Sequence, residues 1–154
     1  MQAKRSVKFQ EAQTFLVNAH LDTHHIIQLI IDNQLTVYYQ PIVQIQHHTC
    51  HDFEALLRLR MQDGTVMNPD FLPSLERAGL STVIDLWVCR QVRADYLAWQ
   101  AEGYHPNISV NIHPDTFLDA ESMKQIIMLL SGFNVQFEVI ERALLTPEKS
   151  NQLI

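Results

Sequence analysis

Two hydrophobic periods alternate along the 154-residue chain, and together they outline its elements. Over residues 12–33 apolar positions return at helical spacing, with Asp22 or Thr23 as a cap ahead of Ile26, Ile27 and Ile30, while the first ten residues read as a linker. A period-two run covers 36–43. After a polar turn a second covers 53–60, close enough for an antiparallel hairpin. Asn68 as cap and Pro69 at the first helical position open a stripe of Phe71, Leu72, Leu75 and Ala78 that Gly79 ends. Ser81 caps the next helix, whose buried face is Ile84, Trp87, Val88 and Val92 and whose end is Gly103. Residues 108–112 form a strand. A helix over 120–130 buries Met123, Ile126, Ile127 and Leu130 and stops at Gly132, and 135–140 is a further strand. Thr146-Pro147-Glu148 starts another helix inside which the given sequence stops. Strands separated by helices predict a parallel sheet with right-handed crossovers after the first hairpin.

Composition adds limits to that outline. With 47% apolar residues, four glycines and six prolines, the chain is rich enough in core-forming residues for one globular unit. A formal net charge of −6 speaks against a general DNA-binding or anionic-membrane surface, although a small polyphosphate ligand needs only a local positive pocket. Cys50 and Cys89 make no disulfide framework and no CxxC pair, which points to a reducing cytoplasm. The longest apolar stretch, 26–31, falls far short of the roughly 20 residues of a membrane span, and the basic start Lys4-Arg5 lacks the apolar segment of a signal peptide. The expected division is a linker and helix over 1–34 and one domain over 35–154.

Candidate chemistry lies on one face of the strands. Glu54, Leu56 and Arg58 alternate against Phe53, Ala55 and Leu57; Ser109, Asn111 and His113 oppose Ile108, Val110 and Ile112; Gln136, Glu138 and Ile140 oppose Phe137 and Val139. If three neighbouring parallel strands gather Glu54, Asn111 and Glu138 near their carboxyl ends, they offer the hard oxygen ligands that magnesium or manganese prefers. Otherwise they are solvated or capping residues at strand ends. His47, His48, Cys50 and His51 carry metal-capable atoms but lack the spacing of a structural zinc site and read as a solvated turn. Trp87 and Trp99 could stack a base; Trp87 fits the helix stripe and reads as core, and Cys89 as an inert small residue.

Several segments in register resemble the EAL domain family: Gln40-Pro41-Ile42-Val43, Glu54-Ala55-Leu56-Leu57-Arg58, Phe71-Leu72-Pro73 with Glu76 and Gly79-Leu80, Val110-Asn111, and Glu138-Val139-Ile140-Glu141. The resemblance covers 35–145 and is to the amino-terminal part of the domain. It implies an α/β fold, an incomplete TIM-type (β/α) barrel with an antiparallel first strand and about half the strands present. It also implies a parent activity, the hydrolysis of cyclic di-GMP to the linear dinucleotide with two magnesium or manganese ions, which polarise the phosphodiester and activate a water. By motif Glu54, Asn111 and Glu138 match metal ligands, Arg58 the residue that holds a substrate phosphate, Gln40 a ligand-contacting glutamine, and Glu141 a glutamate that orders an active-site loop. Asp52 stands where the family often has glycine, His113 where serine is expected, and Ile140 where threonine is expected. The family's paired aspartates, catalytic lysine, and further glutamate and glutamine would fall after residue 154, so the chain alone is expected to be inactive or nearly so. The alternative is a non-catalytic regulatory or protein-interaction module, self-associating or meeting another protein through an open barrel edge, with cyclic di-GMP binding retained or lost.

Overall fold

The computed structural model describes Gln28, Asp32 and residues 34–44, 49–69 and 72–139. Among them are five strands and four helices: β1 (Leu35–Gln44), β2 (Thr49–Arg60), β3 (Val66–Met67), α1 (Leu72–Arg77), α2 (Ser81–Ala101), β4 (Asn107–Ile112), α3 (Pro114–Leu118), α4 (Ala120–Leu130) and β5 (Val135–Val139). The helix expected over 12–33, most of the polar turn with His47 and His48, and the helix start at Thr146 lie outside the described residues. The strands form a mixed sheet in the order β1-β2-β4-β5, with β3 paired to β2. The chain divides into two compact units, Met1–Thr36 with Arg58–Leu80 and Val37–Leu57 with Ser81–Ile154.

In the first unit the end of β2 folds back on β3, antiparallel, with Leu59 opposite Met67 and Arg60 opposite Val66. The turn between them closes through Met61 N–H donating to the Thr65 carbonyl at 2.8 Å. Helix α1 is described from Leu72, whose N–H donates to the Pro69 carbonyl at 3.0 Å, while Asp70 and Phe71 of its expected start lie outside the described residues. Its end is as expected: Gly79 takes a φ of +73°, Leu80 N–H bonds the Leu75 carbonyl at 3.0 Å and Gly79 N–H that of Glu76 at 3.1 Å. Only a residue tolerant of left-handed backbone closes a helix this way without strain. Among the described residues of this unit, Leu35, Leu59, Met67, Leu75 and Leu80 are the buried apolar ones.

The second unit is built around α2 and β4. Helix α2 buries Ser81, Ile84, Asp85, Val88, Cys89, Val92 and Tyr96, steps of three and four that keep one face inward. That face packs on β4, α3 and α4. On β4, Ile108, Val110 and Ile112 are each 0% exposed, so the alternate residues of a six-residue strand anchor this core. Burial of each such side chain contributes roughly 1.5–3 kcal/mol.

Helix α4 starts where expected, with Asp119 as cap accepting from Ser122 N–H at 3.2 Å. Its buried face is narrower than the predicted stripe, because the inward residues are Ser122, Ile126 and Leu130 at strict four-residue steps. Ile127, one position off that row, is 54% exposed and Met123 is half-buried, which corrects the expectation that both are core. Trp87 is likewise half-buried. Helix α3 was not anticipated; His113 caps it and Pro114 occupies its first position.

Candidate functional site

Strands β2, β4 and β5 are parallel neighbours. In register Glu54 lies opposite Ser109, and Asn111 lies opposite Glu138. The three residues therefore do share one face and adjacent strands. Asn111 stands one residue from the end of β4 and Glu138 one residue from the last described position of β5, whereas Glu54 sits mid-strand, because β2 continues to Arg60. The offset is bridged by a side-chain bond in which Asn111 Nδ2 donates to Glu54 Oε1 at 2.7 Å. With Nδ2 turned to Glu54, the carboxamide oxygen of Asn111 is turned away from it, on the strand adjoining Glu138. Asn111 and Glu54 are half-buried and Glu138 is exposed, so the group is open to solvent on one side.

Below this pair the same face stays polar. Asn107 Nδ2 donates to Asp52 Oδ1 at 2.7 Å, and Gln136 Nε2 donates to Ser109 Oγ at 2.6 Å. Asp52, where the resembled family often has glycine, thus finds a cross-strand partner. A cleft of about 360 Å³ opens along these residues and is lined also by Phe133 and Asn134.

The donor set consists of two carboxylates and one carboxamide, all oxygen ligands of the hard type that suits magnesium or manganese. No group of three or more His, Cys, Asp or Glu side chains gathers into a metal cluster among the described residues. The candidate set differs from such a cluster because its third member is Asn111. His51 is exposed and Cys50 half-buried, with its Sγ directed at the Asp52 carbonyl.

The other candidates are spread over neighbouring segments. Gln40 is exposed on β1, on the face opposite Tyr39. The Tyr39 hydroxyl donates to Asp95 Oδ2 at 2.5 Å, and its ring meets the edge of Trp99 at 4.7 Å. Trp99 is thus engaged by a tyrosine of its own chain. Burial, then the Asp95 hydrogen bond and charge, push the Tyr39 phenol well above the ordinary tyrosine value. Arg58 is half-buried on β2 and belongs to the first unit. Glu141 and Ile140 lie outside the described residues.

Two features escaped the sequence. Asp85 is 8% exposed and accepts a hydrogen bond from His113 N–H at 2.9 Å. The available signal was its place on the buried helix face, four residues after Ser81 and four before Cys89. Its charge and, first of all, burial push the Cys89 thiol up to about 12. The Tyr39–Asp95 bond joins residues 56 apart and had no local signal.

Among the described residues no helix is long and apolar enough to cross a membrane. The model of the EAL domain family matches residues 25–154. The chain is 30% identical over 139 residues to a probable cyclic di-GMP phosphodiesterase, PdeB, of Escherichia coli K12, a match covering 85% of this chain and 27% of that protein. It is 27% identical over 132 residues to the cyclic di-GMP phosphodiesterase PdeF of the same organism, covering 82% of this chain and 17% of that protein. Its fold is similar to the PaMucR phosphodiesterase in complex with c-di-GMP, with a TM-score of 0.65, 28% identity and coverage of 84% of this chain and 56% of that one. The Xanthomonas citri FimX EAL domain in complex with c-di-GMP gives a TM-score of 0.66 at 24% identity, covering 82% of this chain and 51% of that one. The chain thus spans about half of these solved chains and about a quarter or less of the curated relatives. Its α/β architecture is an incomplete TIM-type barrel, and the chain belongs to the EAL domain family.

Proposed function

We propose that this chain supplies one wall of a metal-dependent phosphodiesterase site for cyclic di-GMP. In this reading Glu54, Asn111 and Glu138 hold magnesium or manganese, Arg58 binds a phosphate of the dinucleotide, Gln40 contacts the nucleotide and Glu141 orders an adjoining loop. The observation that carries it is the side-chain bond between Asn111 and Glu54, 57 residues apart in sequence, with Glu138 next in register. The two carboxylates contribute the charge that attracts a divalent cation, and Asn111 adds a neutral oxygen while its amide fixes Glu54. The metal, when bound, supplies Lewis-acid activation of the phosphodiester and of water. A guanidinium suits a phosphate oxygen because its donors are paired and fixed in a plane.

The 154 residues carry three of the family's ligand positions, and a missing base or positioning group commonly costs a factor of about 10² to 10⁴ in rate. Incubated with manganese and cyclic di-GMP, the 154-residue polypeptide is expected to form little or no linear dinucleotide. A rate comparable to that of a complete EAL domain contradicts this part of the reading.

A second reading, a non-catalytic interaction module, draws on the surface of the second unit. Ile127 and Met128 on α4 are 54% and 68% exposed, and β5 ends the strand order among the described residues. Exposed strand edges and apolar patches favour association. Light scattering after size-exclusion chromatography distinguishes the cases: a dimer supports the module, and a monodisperse monomer counts against self-association.

A further inference from the structure

The chain that carries Asn111 leaves the sheet almost at once, and what fixes it there is polar. Strand β4 ends at Ile112, and the next backbone N–H, that of His113, donates to Asp85 Oδ2 at 2.9 Å instead of continuing the ladder. His113 is 4% exposed and Asp85 8%. The His113 ring turns to α3, where Nδ1 accepts from Asp115 N–H at 3.1 Å. One turn before Asp85 on α2, Thr82 Oγ1 accepts from Thr116 Oγ1 at 3.2 Å. The first turns of α2 therefore grip the β4–α3 corner on both sides.

We infer that Asp85 is a positioning residue for Asn111, acting through the His113 peptide. Between them stands only Ile112, whose side chain is fully buried. With Ile112 packed on the core side and the following N–H held by Asp85, the direction of Asn111 across the sheet is set from beyond the strand end. A carboxylate in such surroundings costs desolvation energy that an apolar residue of similar volume avoids. The hydrogen bond from His113 N–H gives that buried carboxylate one compensating partner at the end of β4. Partners that hold a metal ligand in place commonly change metal affinity by roughly 10- to 100-fold when removed. The metal part of this inference rests on the reading of Asn111 as a ligand, whereas the positioning part does not.

The test uses isotope-labelled chain and two readouts. One is the side-chain amide resonance pair of Asn111, identified by its loss in Asn111→Ala; the other is Mn2+ affinity. In Asp85→Leu the His113 amide is expected to lose protection from exchange, the Asn111 pair to move, and Mn2+ affinity to fall roughly tenfold. Asp85→Asn, which keeps an acceptor oxygen, is expected to restore both readouts. Asp85→Ser, too short to reach the peptide, replaces the leucine variant if that does not fold. Val92→Ala, a cavity elsewhere on α2, should lower stability and leave the Asn111 pair in place. An Asn111 pair that is unmoved in Asp85→Leu or Asp85→Ser, or that moves equally in Val92→Ala, overturns the inference. If the wild-type chain binds no Mn2+ while the Asn111 pair responds to Asp85, the metal reading fails and the positioning role stands. If Mn2+ binds and neither readout responds to Asp85, the positioning role fails and the metal reading stands.

Discussion

The two faces of β4 have different jobs although they are made from the same six residues. On the helix side Ile108, Val110 and Ile112 are fully buried against α2 and its neighbours. On the other side Asn107 and Asn111 each donate to a carboxylate on β2, and Ser109 accepts from Gln136 on β5. A polar ladder on a strand face contributes less to stability than apolar side chains do and offers oxygen atoms for chemistry. Stability and chemistry are thereby assigned to opposite sides of one strand, and substitutions should separate them.

The largest expected effect is on the apolar side. Ile108→Ala leaves a cavity in a fully buried position and should cost about 3 kcal/mol. Urea unfolding with an unchanged m-value would check it, and a loss below about 1 kcal/mol would mean that the core of this unit lies elsewhere.

Tyr39→Phe comes next. It keeps the ring on Trp99 and removes the hydroxyl bonded to Asp95, so a loss of about 1 kcal/mol is expected. Because the folded protein raises the phenol above its ordinary value near 10, this contribution is complete below pH 10 and fades as pH rises beyond it. The difference in stability between wild type and Tyr39→Phe should therefore shrink in strongly alkaline solution. A difference that is constant to high pH would contradict the hydrogen bond.

The smallest effect concerns Cys89. Raised to about 12 by burial and by the Asp85 charge, the thiol favours folding below its ordinary pKa of 9 and loses that contribution as pH climbs from 9 toward 12. At neutral pH it should resist alkylation in the folded chain, while half-buried Cys50 reacts faster. Equal rates would contradict the core placement of Cys89.

Much of this division was legible in the residue pattern, for reasons that are local. Alternation alone put Glu54 and Arg58 opposite Ala55 and Leu57, and Asn111 opposite Val110, because the strand period is fixed by the backbone. Gly79 and Gly103 ended their helices because each takes positive φ, at +73° and +79°. Motif order supplied the family. What the pattern missed depends on long-range packing. A helical stripe has no sharp edge in sequence and so takes in Ile127, yet α4 buries a single row with four-residue steps. Helix α3 is five residues long, too short for periodicity to reveal. Asp85 carries no local signal of its partner, which is a peptide group 28 residues away.

The account rests most on the claim that Glu54, Asn111 and Glu138 act together as a cation site on the polar face. Titration of the chain with Mn2+, followed by electron paramagnetic resonance of the free ion, tests it directly when wild type, Asn111→Ala and Ile108→Ala are compared under conditions where all are folded. The predicted result is binding by wild type and Ile108→Ala and a loss of roughly tenfold or more in affinity for Asn111→Ala. Equal affinities for wild type and Asn111→Ala, or no binding by the wild-type chain, would contradict it.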